Sequence, residues 1–210
     1  MPIATARILL RCLAATALLA LAWSLTSGPS LANNSQKSWT LCTTAVAEAE
    51  PGLRMPTHML GAISKVESGR WHRQTREILA WPWTVTAGGE SRYLPSKAAA
   101  IEEVKRLKAK GMRNIDVGCM QINLGYHPDA FASLEQAFDP SANVAYAASF
   151  LKELRGRWGS WTRAVGNYHS NTPTLSGRYR IKVFQRLYEA KRAAAKARRA
   201  KRLAALQAKS

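Results

Sequence analysis

The sequence predicts a mainly α-helical domain with a small β-hairpin insertion. Apolar residues recur at the three- and four-residue spacing of a helix face along most of the chain. Residues that start and stop helices bound several of these segments, as Ser96 and Gly111 do. The stretch 81–93 differs, because it combines tryptophan and β-branched residues with a Gly-Gly turn. With 210 residues, of which 47% are hydrophobic, the chain has enough apolar material for one compact core.

Residues 1–32 are predicted to be a cleaved export signal. Arg7 and Arg11 precede an apolar run over 13–25, and the small residues at 30–32 suit a signal peptidase. The alternative is a membrane anchor, but the run is shorter than the roughly 20 residues that span a bilayer. The remaining chain divides into a folded domain, 33–188, and a C-terminal tail rich in Ala, Lys and Arg, 189–210.

Two helices are predicted at the start of the domain. The first covers about 39–50 and ends at the breaker pair Pro51-Gly52. The second covers about 56–68, with Pro56 in its first turn and Gly69 just past its end. Its apolar face consists of Met59, Leu60, Ile63 and Val66.

Glu67 follows that apolar face, at the border between buried and exposed positions. Partial burial disfavours the charged form of a carboxylate and raises its pKa toward the range of a proton donor at neutral pH. Glu67 is therefore a candidate general acid. The alternative is a solvated glutamate in the last turn of a helix.

The hairpin at 81–93 follows a polar segment, 71–80, that is predicted to be a surface connection. Trp81, Trp83 and Tyr93 would offer flat faces on which sugar rings stack, and Trp83 is a candidate substrate-binding residue. Filling of the core is the alternative role for both tryptophans.

Further helices are predicted in the rest of the domain. Ser96 caps one that runs to about 110, Asp139 and Pro140 open another that runs to about 155, and Ser160 caps a short one that ends near 168. The last helix begins at about 177 and continues into the tail. The segment 114–123 mixes apolar and polar residues, which predicts an irregular strand that presents backbone and amide groups to a ligand.

Removal of the signal leaves two cysteines, Cys42 and Cys119. A disulfide between them is plausible in an oxidising compartment, and two buried thiols are the alternative. The sequence shows neither a Cys/His cluster nor a Ser-His-Asp arrangement, so we expect no metal, no acyl-enzyme and no cofactor.

Positive charge is spread unevenly along the chain. The net charge is +18, of which +7 lies in the tail and +2 in the signal, leaving +9 for the domain. In an exported protein this charge favours acidic polymers, cell-wall carboxylates or anionic lipid surfaces. The same charge would attract nucleic acid, so charge alone does not identify the partner.

Three short motifs occur in an informative order. They are Glu67-Ser68-Gly69, Gly118-Cys119-Met120-Gln121-Ile122 and Gly166-Asn167-Tyr168-His169-Ser170. Together they resemble the motifs of family 1 lytic transglycosylases, which have a lysozyme-like fold. The resemblance covers about 40–188, and the Trp-Pro-Trp-Thr hairpin resembles an insertion in the proteobacterial branch. Two departures are Cys119, where the family often has Leu, and Tyr168-His169-Ser170-Asn171, where it usually has Tyr-Asn-x-Gly.

The resemblance implies a role for each matching residue. Glu67 becomes the general acid, Met120 and Gln121 part of the sugar-binding floor, and Tyr168 a hydroxyl near the Glu67 carboxyl. Ser68 would bind sugar or backbone. In this family the C6 hydroxyl of the substrate is the nucleophile, so no second carboxylate is required.

Two other residues near these motifs have weaker claims to a role. His169 is expected to be structural, or to replace the hydrogen-bonding Asn of the family. Asp116 would serve a hydrolytic route, which needs a second acid.

The implied activity is cleavage of the β-1,4 bond between N-acetylmuramic acid (MurNAc) and N-acetylglucosamine (GlcNAc) in peptidoglycan, with a 1,6-anhydro end. A hydrolytic muramidase and a non-catalytic basic wall-binding or assembly protein are the alternatives. The expected location is the periplasm, and the expected partners are glycan strands rather than nucleic acid. The tail is either a solvated, mobile helix or a contact with an anionic surface or with a secretion or flagellar apparatus.

Overall fold

The computed structural model describes residues 30–208, and the predicted export signal therefore lies almost entirely outside the described residues. The predicted mainly α fold with a small β part is confirmed. The helices are α1 (Ser30–Ala49), α2 (Met59–Glu67), α3 (Lys97–Ala109), α4 (Leu134–Ala137), α5 (Pro140–Trp158), α6 (Trp161–His169) and α7 (Pro173–Gln207), with a 3-10 helix at Glu50–Leu53. The strands are β1 (Gly69–His72), β2 (Glu77–Ala80), β3 (Thr84–Ala87), β4 (Glu90–Tyr93), β5 (Ile115–Val117) and β6 (Ile122–Asn123). None of the helices in the described range is both long and apolar enough to cross a bilayer.

Several helix boundaries differ from the prediction. α1 begins at Ser30 rather than near 39, and α7 begins at Pro173 rather than near 177. Pro56 lies outside α2, which begins at Met59 after a residue with left-handed backbone, His58. The short helices at Glu50–Leu53 and Leu134–Ala137 were not predicted, because segments this short carry almost no periodic signal.

The segment 71–80 is not a simple surface connection, as predicted, but most of an antiparallel hairpin. β1 pairs with β2 from Gly69 opposite Ala80 to His72 opposite Glu77. A side-chain contact closes the turn, because the His72 imidazole lies 2.8 Å from the Thr75 hydroxyl. The strands are largely exposed, so the hydrophobic alternation that would have indicated them is absent.

Gly69 is required for a different reason from the predicted one. It begins β1 with ordinary backbone, whereas a glycine that ends a helix usually has positive φ. A Cβ atom here would lie 2.1 Å from the Lys65 carbonyl oxygen. Close approach of strand and helix, not turn conformation, therefore requires a glycine at the last position of the Glu67-Ser68-Gly69 motif.

The predicted Gly-Gly hairpin is confirmed. β3 and β4 pair from Thr84 opposite Tyr93 to Ala87 opposite Glu90. Gly88 and Gly89 both have positive φ, as a two-residue type I′ turn demands. β3 also pairs with β5, and β5 with β6, which gives an antiparallel sheet in the order β4-β3-β5-β6.

Two buried clusters hold these elements together. The helical cluster joins α1, α2, α5, α6 and α7, and includes Leu60, Ile63, Val144, Leu151 and Val183. The sheet cluster joins β3 and β5 to α3 and α4, and includes Trp81, Val85, Val104, Ile115 and Phe138. α2 from the first cluster and the sheet from the second both contribute residues to the same open cavity.

Candidate active site

The cavity has a volume of about 700 Å³, in the range of small-ligand sites. Two carboxylates line it, Glu67 and Asp116, together with His127 and His169. None of the described residues that line it is Lys or Arg, although the chain is strongly basic. Five carboxamide side chains make the lining mostly neutral and polar: Asn114, Gln121, Asn123, Asn167 and Asn171.

Glu67 is the last residue of α2 and is mostly buried. Burial raises the pKa of its carboxyl from 4.5 to about 8, a hydrogen bond from Tyr179 opposes the rise, and the charge of Asp116 adds to it. Glu67 therefore keeps its proton near neutral pH while it faces a polar cavity. A carboxylic acid in that state can protonate the leaving group of a substrate.

The hydroxyl that contacts Glu67 belongs to Tyr179, which sequence reasoning missed. Tyr179 lies on α7, 112 residues along the chain, and donates a 2.5 Å hydrogen bond to Glu67 Oε1. Its ring stacks on His169, with ring centres 4.7 Å apart and planes within 6°. These two contacts fix the hydroxyl from opposite sides.

Tyr168 lines the cavity, but its hydroxyl does not bond to Glu67. It donates to the Met120 carbonyl oxygen at 2.8 Å. Burial raises the pKa of Tyr168 well above its ordinary value, so it remains a neutral donor. Its role in this structure is to hold the turn that carries Gln121.

Asp116, on β5, faces the cavity beside a hydrogen-bond donor. The Asn123 amide donates to its carboxylate at 2.8 Å. Burial raises the pKa of Asp116, while the Asn123 bond and the neighbouring histidines, His169 and His127, lower it. Asp116 is thus a second acid in the same cavity as Glu67.

The turn 118–121 between β5 and β6 places Gln121 in the cavity. Gly118 and Gln121 both have positive φ, which is uncommon for a residue with a side chain. The Gln121 amide nitrogen donates to the carbonyl oxygens of Thr84 and Gly118 at 3.1 and 3.0 Å. Its amide oxygen accepts from the Thr86 hydroxyl. Gln121 is therefore fixed, as a rigid part of the floor.

Asn143 is the second residue that sequence reasoning missed. It is fully buried on α5, and its amide nitrogen donates to the carbonyl oxygens of Val117 and Ala137 at 3.0 Å each. Its amide oxygen accepts from the Met120 backbone N–H at 2.9 Å. A Cβ atom at Gly118 would lie 2.5 Å from the Asn143 amide. Asn143 thus fixes the backbone conformation of the turn 118–121 through buried hydrogen bonds.

Two predicted substrate-binding residues are buried beneath the site rather than exposed in it. Met120 is 0% exposed and belongs to the helical core cluster. Ser68 is also 0% exposed, and its hydroxyl donates to the Cys119 carbonyl oxygen at 2.7 Å. Neither side chain lines the cavity, so neither is placed to bind sugar, and Ser68 takes the alternative of bonding to backbone.

Trp83 is not a sugar platform either. Trp81 and Trp83 are 1% and 7% exposed and fill the sheet cluster. The Trp83 indole N–H donates to the Ser38 hydroxyl and that of Trp81 to the Leu94 carbonyl oxygen. Aromatic residues in a strand look the same in sequence whether they bind a ligand or fill a core, and here the core alternative is correct.

A disulfide lies directly beneath the floor. Cys42 on α1 is bonded to Cys119 in the turn, with Cα atoms 5.6 Å apart. The Cys119 carbonyl oxygen also accepts from Ser64 on α2 and from Ser68, which directly follows that helix. One residue of the turn is therefore tied both to α1 and to the helix that ends in Glu67.

No group of three or more side chains suited to a metal ion occurs within the described part of the chain. His169 is occupied by its stacking contact with Tyr179, and burial lowers its pKa. The chemistry available from the described side chains is proton transfer by Glu67 in a neutral, amide-rich cavity.

Comparison with known proteins gives one match. The family model described as the transglycosylase SLT domain matches residues 45–176. The matched range contains Glu67, Gln121 and Tyr168 and ends before Tyr179. No curated protein and no solved structure gave a match.

Proposed function

The chain belongs to the transglycosylase SLT domain family, and from this we propose that it is a lytic transglycosylase of the bacterial cell wall. Membership brings the lysozyme-like fold and a transglycosylase type of action on peptidoglycan. The specific reaction proposed here is cleavage of the MurNAc-β-1,4-GlcNAc bond with formation of a 1,6-anhydroMurNAc end.

The observation that carries this proposal is the placement of Glu67, whose carboxyl lines the cavity, is bonded to the Tyr179 hydroxyl and has its pKa raised by burial to about 8. As the C1–O4 bond breaks, the leaving oxygen takes the electron pair and the proton of Glu67. The C6 hydroxyl of the same sugar then bonds to C1 and returns its proton to the Glu67 carboxylate. No water is consumed, and the enzyme ends as it began.

The lining of the cavity suits this substrate. MurNAc and GlcNAc both carry acetamido groups and hydroxyls, which pair with the carboxamides that line the cavity. Gln121 is already held by three hydrogen bonds, so it can offer a surface of fixed shape. Tyr179 is placed to stabilise Glu67 in the moment that it is a carboxylate.

A hydrolytic muramidase is the second candidate, and Asp116 favours it. A hydrolase needs a second carboxylate to stabilise a cation or to activate water, and Asp116 lines the cavity that Glu67 faces. The two reactions differ in their products, because an anhydro end is lighter than a reducing end by one water. A non-catalytic wall-binding protein would yield neither.

The deciding experiment is digestion of purified peptidoglycan with mass analysis of the released sugars. We expect anhydro products from the wild type and a loss of about a hundredfold or more in Glu67→Gln, the usual contribution of a general acid. Glu48→Gln, an exposed glutamate on α1, is the matched control and should digest as the wild type does. Reducing ends from the wild type would favour the hydrolase, and unchanged digestion by Glu67→Gln would contradict both enzymatic proposals.

We also propose export to the periplasm by way of residues 1–32. The Cys42–Cys119 disulfide supports this, since disulfides persist mainly in oxidising compartments. The N-terminal sequence of the protein recovered from the cell envelope tests it.

The basic tail is proposed to contact an anionic surface such as wall carboxylates. Seven Lys or Arg and no acidic residue occur in 190–208, and all seven side chains are exposed. Its partnership with a secretion or flagellar apparatus stays a prediction that rests on this tail alone.

A further inference from the structure

Tyr126 is an exposed aromatic residue at the wall of the cavity. It is 79% exposed, more than the other exposed tyrosines, Tyr93 and Tyr188, at 39% and 62%. Its ring has no aromatic neighbour and its hydroxyl no hydrogen bond among the described residues. A tyrosine ring left this open gains nothing for the fold from its apolar faces.

The backbone beneath Tyr126 is nevertheless fixed. The Asn123 side-chain oxygen accepts from the backbone N–H groups of Gly125 and Tyr126, both at 2.9 Å. The amide nitrogen of the same Asn123 donates to Asp116 in the cavity. The turn that presents Tyr126 is therefore connected through one side chain to the acidic part of the site.

The following residue anchors the turn from the other side. The His127 N–H donates to the Asn123 carbonyl oxygen at 2.9 Å, and the His127 ring lies 2.9 Å from the Tyr146 hydroxyl. Tyr126 is thus an open ring on a rigid support. That combination characterises a ligand platform, because little conformational freedom is lost when a ligand docks.

The chemistry of the cavity indicates what docks there. Near Tyr126 its lining is polar, with Asn114 and Asn123, which share a hydrogen bond, beside the Asp116 carboxylate. A pyranose ring has the matching character, with one apolar C–H face and a rim of hydroxyl and acetamido groups. The apolar face would lie on the Tyr126 ring while the rim meets the carboxamides.

We propose that Tyr126 is a stacking platform for a β-1,4-linked N-acetylhexosamine unit away from the bond that is cleaved. This inference rests on the function proposed above. Tyr126 and Glu67 line one cavity, and no hydrogen bond joins them among the described residues, so the proposal places the sugar on Tyr126 at a different position from the bond that Glu67 protonates. Tyr126 is a positioning residue that favours longer glycan chains over short ones.

The test is binding of neutral GlcNAc oligomers of two and five units, measured by calorimetry on Glu67→Gln to prevent turnover. Tyr126→Ala should bind the five-unit oligomer about tenfold more weakly, the upper range for an aromatic contact, and the two-unit oligomer almost unchanged. Tyr126→Phe should bind as the parent does. Tyr188→Ala, an exposed tyrosine on α7 outside the cavity, is the matched control and should also bind normally.

Three results would overturn the inference: equal binding of the five-unit oligomer by Tyr126→Ala, a loss in Tyr126→Phe as large as in Tyr126→Ala, or no binding by the parent protein. Failure of the proposed function is a separate result, since it would appear as absent cleavage of peptidoglycan by the wild type. In the active enzyme the expected signature of Tyr126→Ala is a raised KM with kcat and the pH profile unchanged.

Discussion

The pKa of Glu67 is set mainly by burial and by the hydrogen bond from Tyr179, with a smaller contribution from the charge of Asp116. Burial raises its pKa, and the hydrogen bond from Tyr179 lowers it by stabilising the charged form. The result, about 8, leaves the residue protonated at neutral pH but able to release its proton during a reaction. Tyr179 therefore adjusts the acid and also orients it, because its hydroxyl holds one carboxyl oxygen.

Tyr179→Phe separates these two effects. Loss of the hydrogen bond should raise the Glu67 pKa further, and activity that needs the protonated acid should persist to higher pH. At the same time kcat should fall about tenfold, because the carboxyl is no longer held and its ionised form is less stable. The measurement is kcat/KM from about pH 5 to about pH 10.

Tyr188→Phe on the same helix, exposed and outside the cavity, is the control for that profile. An alkaline limb that stays in place or moves to lower pH in Tyr179→Phe would contradict the assigned role.

The sequence was informative about the acid and much less so about its surroundings. Glu67 and Gln121 were found because they belong to recognisable motifs. Tyr179 was not found, because Tyr179, Val183 and Leu187 follow one another at four-residue spacing. This spacing is typical of a helix face that packs in the core. Ser68 was assigned to the cavity because a motif gives residue order, whereas burial depends on tertiary packing.

At the scale of elements, α5 supports the floor through Asn143. This one amide bonds to backbone groups of the α4 end, of β5 and of the turn 118–121. A buried amide with three partners stabilises a fold mainly because its absence leaves those partners unsatisfied.

Asn143→Leu, which keeps the branched shape and the number of side-chain heavy atoms, should therefore be strongly destabilising. We expect a loss of about 3 kcal/mol or more in the free energy of unfolding, from two carbonyls and one N–H left without partners. Denaturant unfolding with the disulfide intact measures it. Ser141→Ala, an exposed position on the same helix, should change stability by less than about 0.5 kcal/mol. If Asn143→Leu lowers the free energy of unfolding by no more than Ser141→Ala does, the Asn143 amide does not stabilise the fold through these hydrogen bonds.

The two hairpins show which local signals a sequence carries. Gly88 and Gly89 predicted the β3–β4 hairpin, because a type I′ turn needs positive φ at both central positions. The β1–β2 hairpin turns through Arg76, which has positive φ without being glycine, and a side-chain contact of His72 closes it. Such a turn depends on contacts that composition does not reveal.

At the scale of the whole molecule, the positive charge of the Lys and Arg side chains is not found in the lining of the candidate site, as far as the structure describes the chain. The net charge is +18, yet within the described range 30–208 no Lys or Arg lines the cavity. Exposed positive charge is concentrated on the end of α7, beyond its last buried residue, Leu187. Positive charge can then attract an acidic polymer without occupying the candidate site.

Removal of residues 191–210 tests this division. Because the buried residues of α7 end at Leu187, the shortened protein should fold and should cleave soluble glycan fragments at the wild-type rate. Its pelleting with purified wall should weaken at low salt and depend less steeply on salt, since exposed charges act over a Debye length of about 10 Å at 0.1 M and the domain keeps part of the positive charge.

A full-length variant with Gln at every Lys and Arg of 191–209 is the matched control for helix length. It should behave as the deletion does. If the wild type pellets equally at low and high salt, the tail has no electrostatic role.

Burial of Glu67 also links the folding of the entire molecule to pH. An unfolded chain releases the Glu67 proton near pH 4.5, whereas the folded protein keeps it until about pH 8. Between these values the folded state holds the extra proton, so the free energy of unfolding falls as the pH rises, by at most roughly 5 kcal/mol. The burial that raises the pKa of Glu67 thus also lowers the stability of the folded protein at alkaline pH. The Glu67→Gln protein is therefore expected to stay folded under alkaline conditions that unfold the wild type.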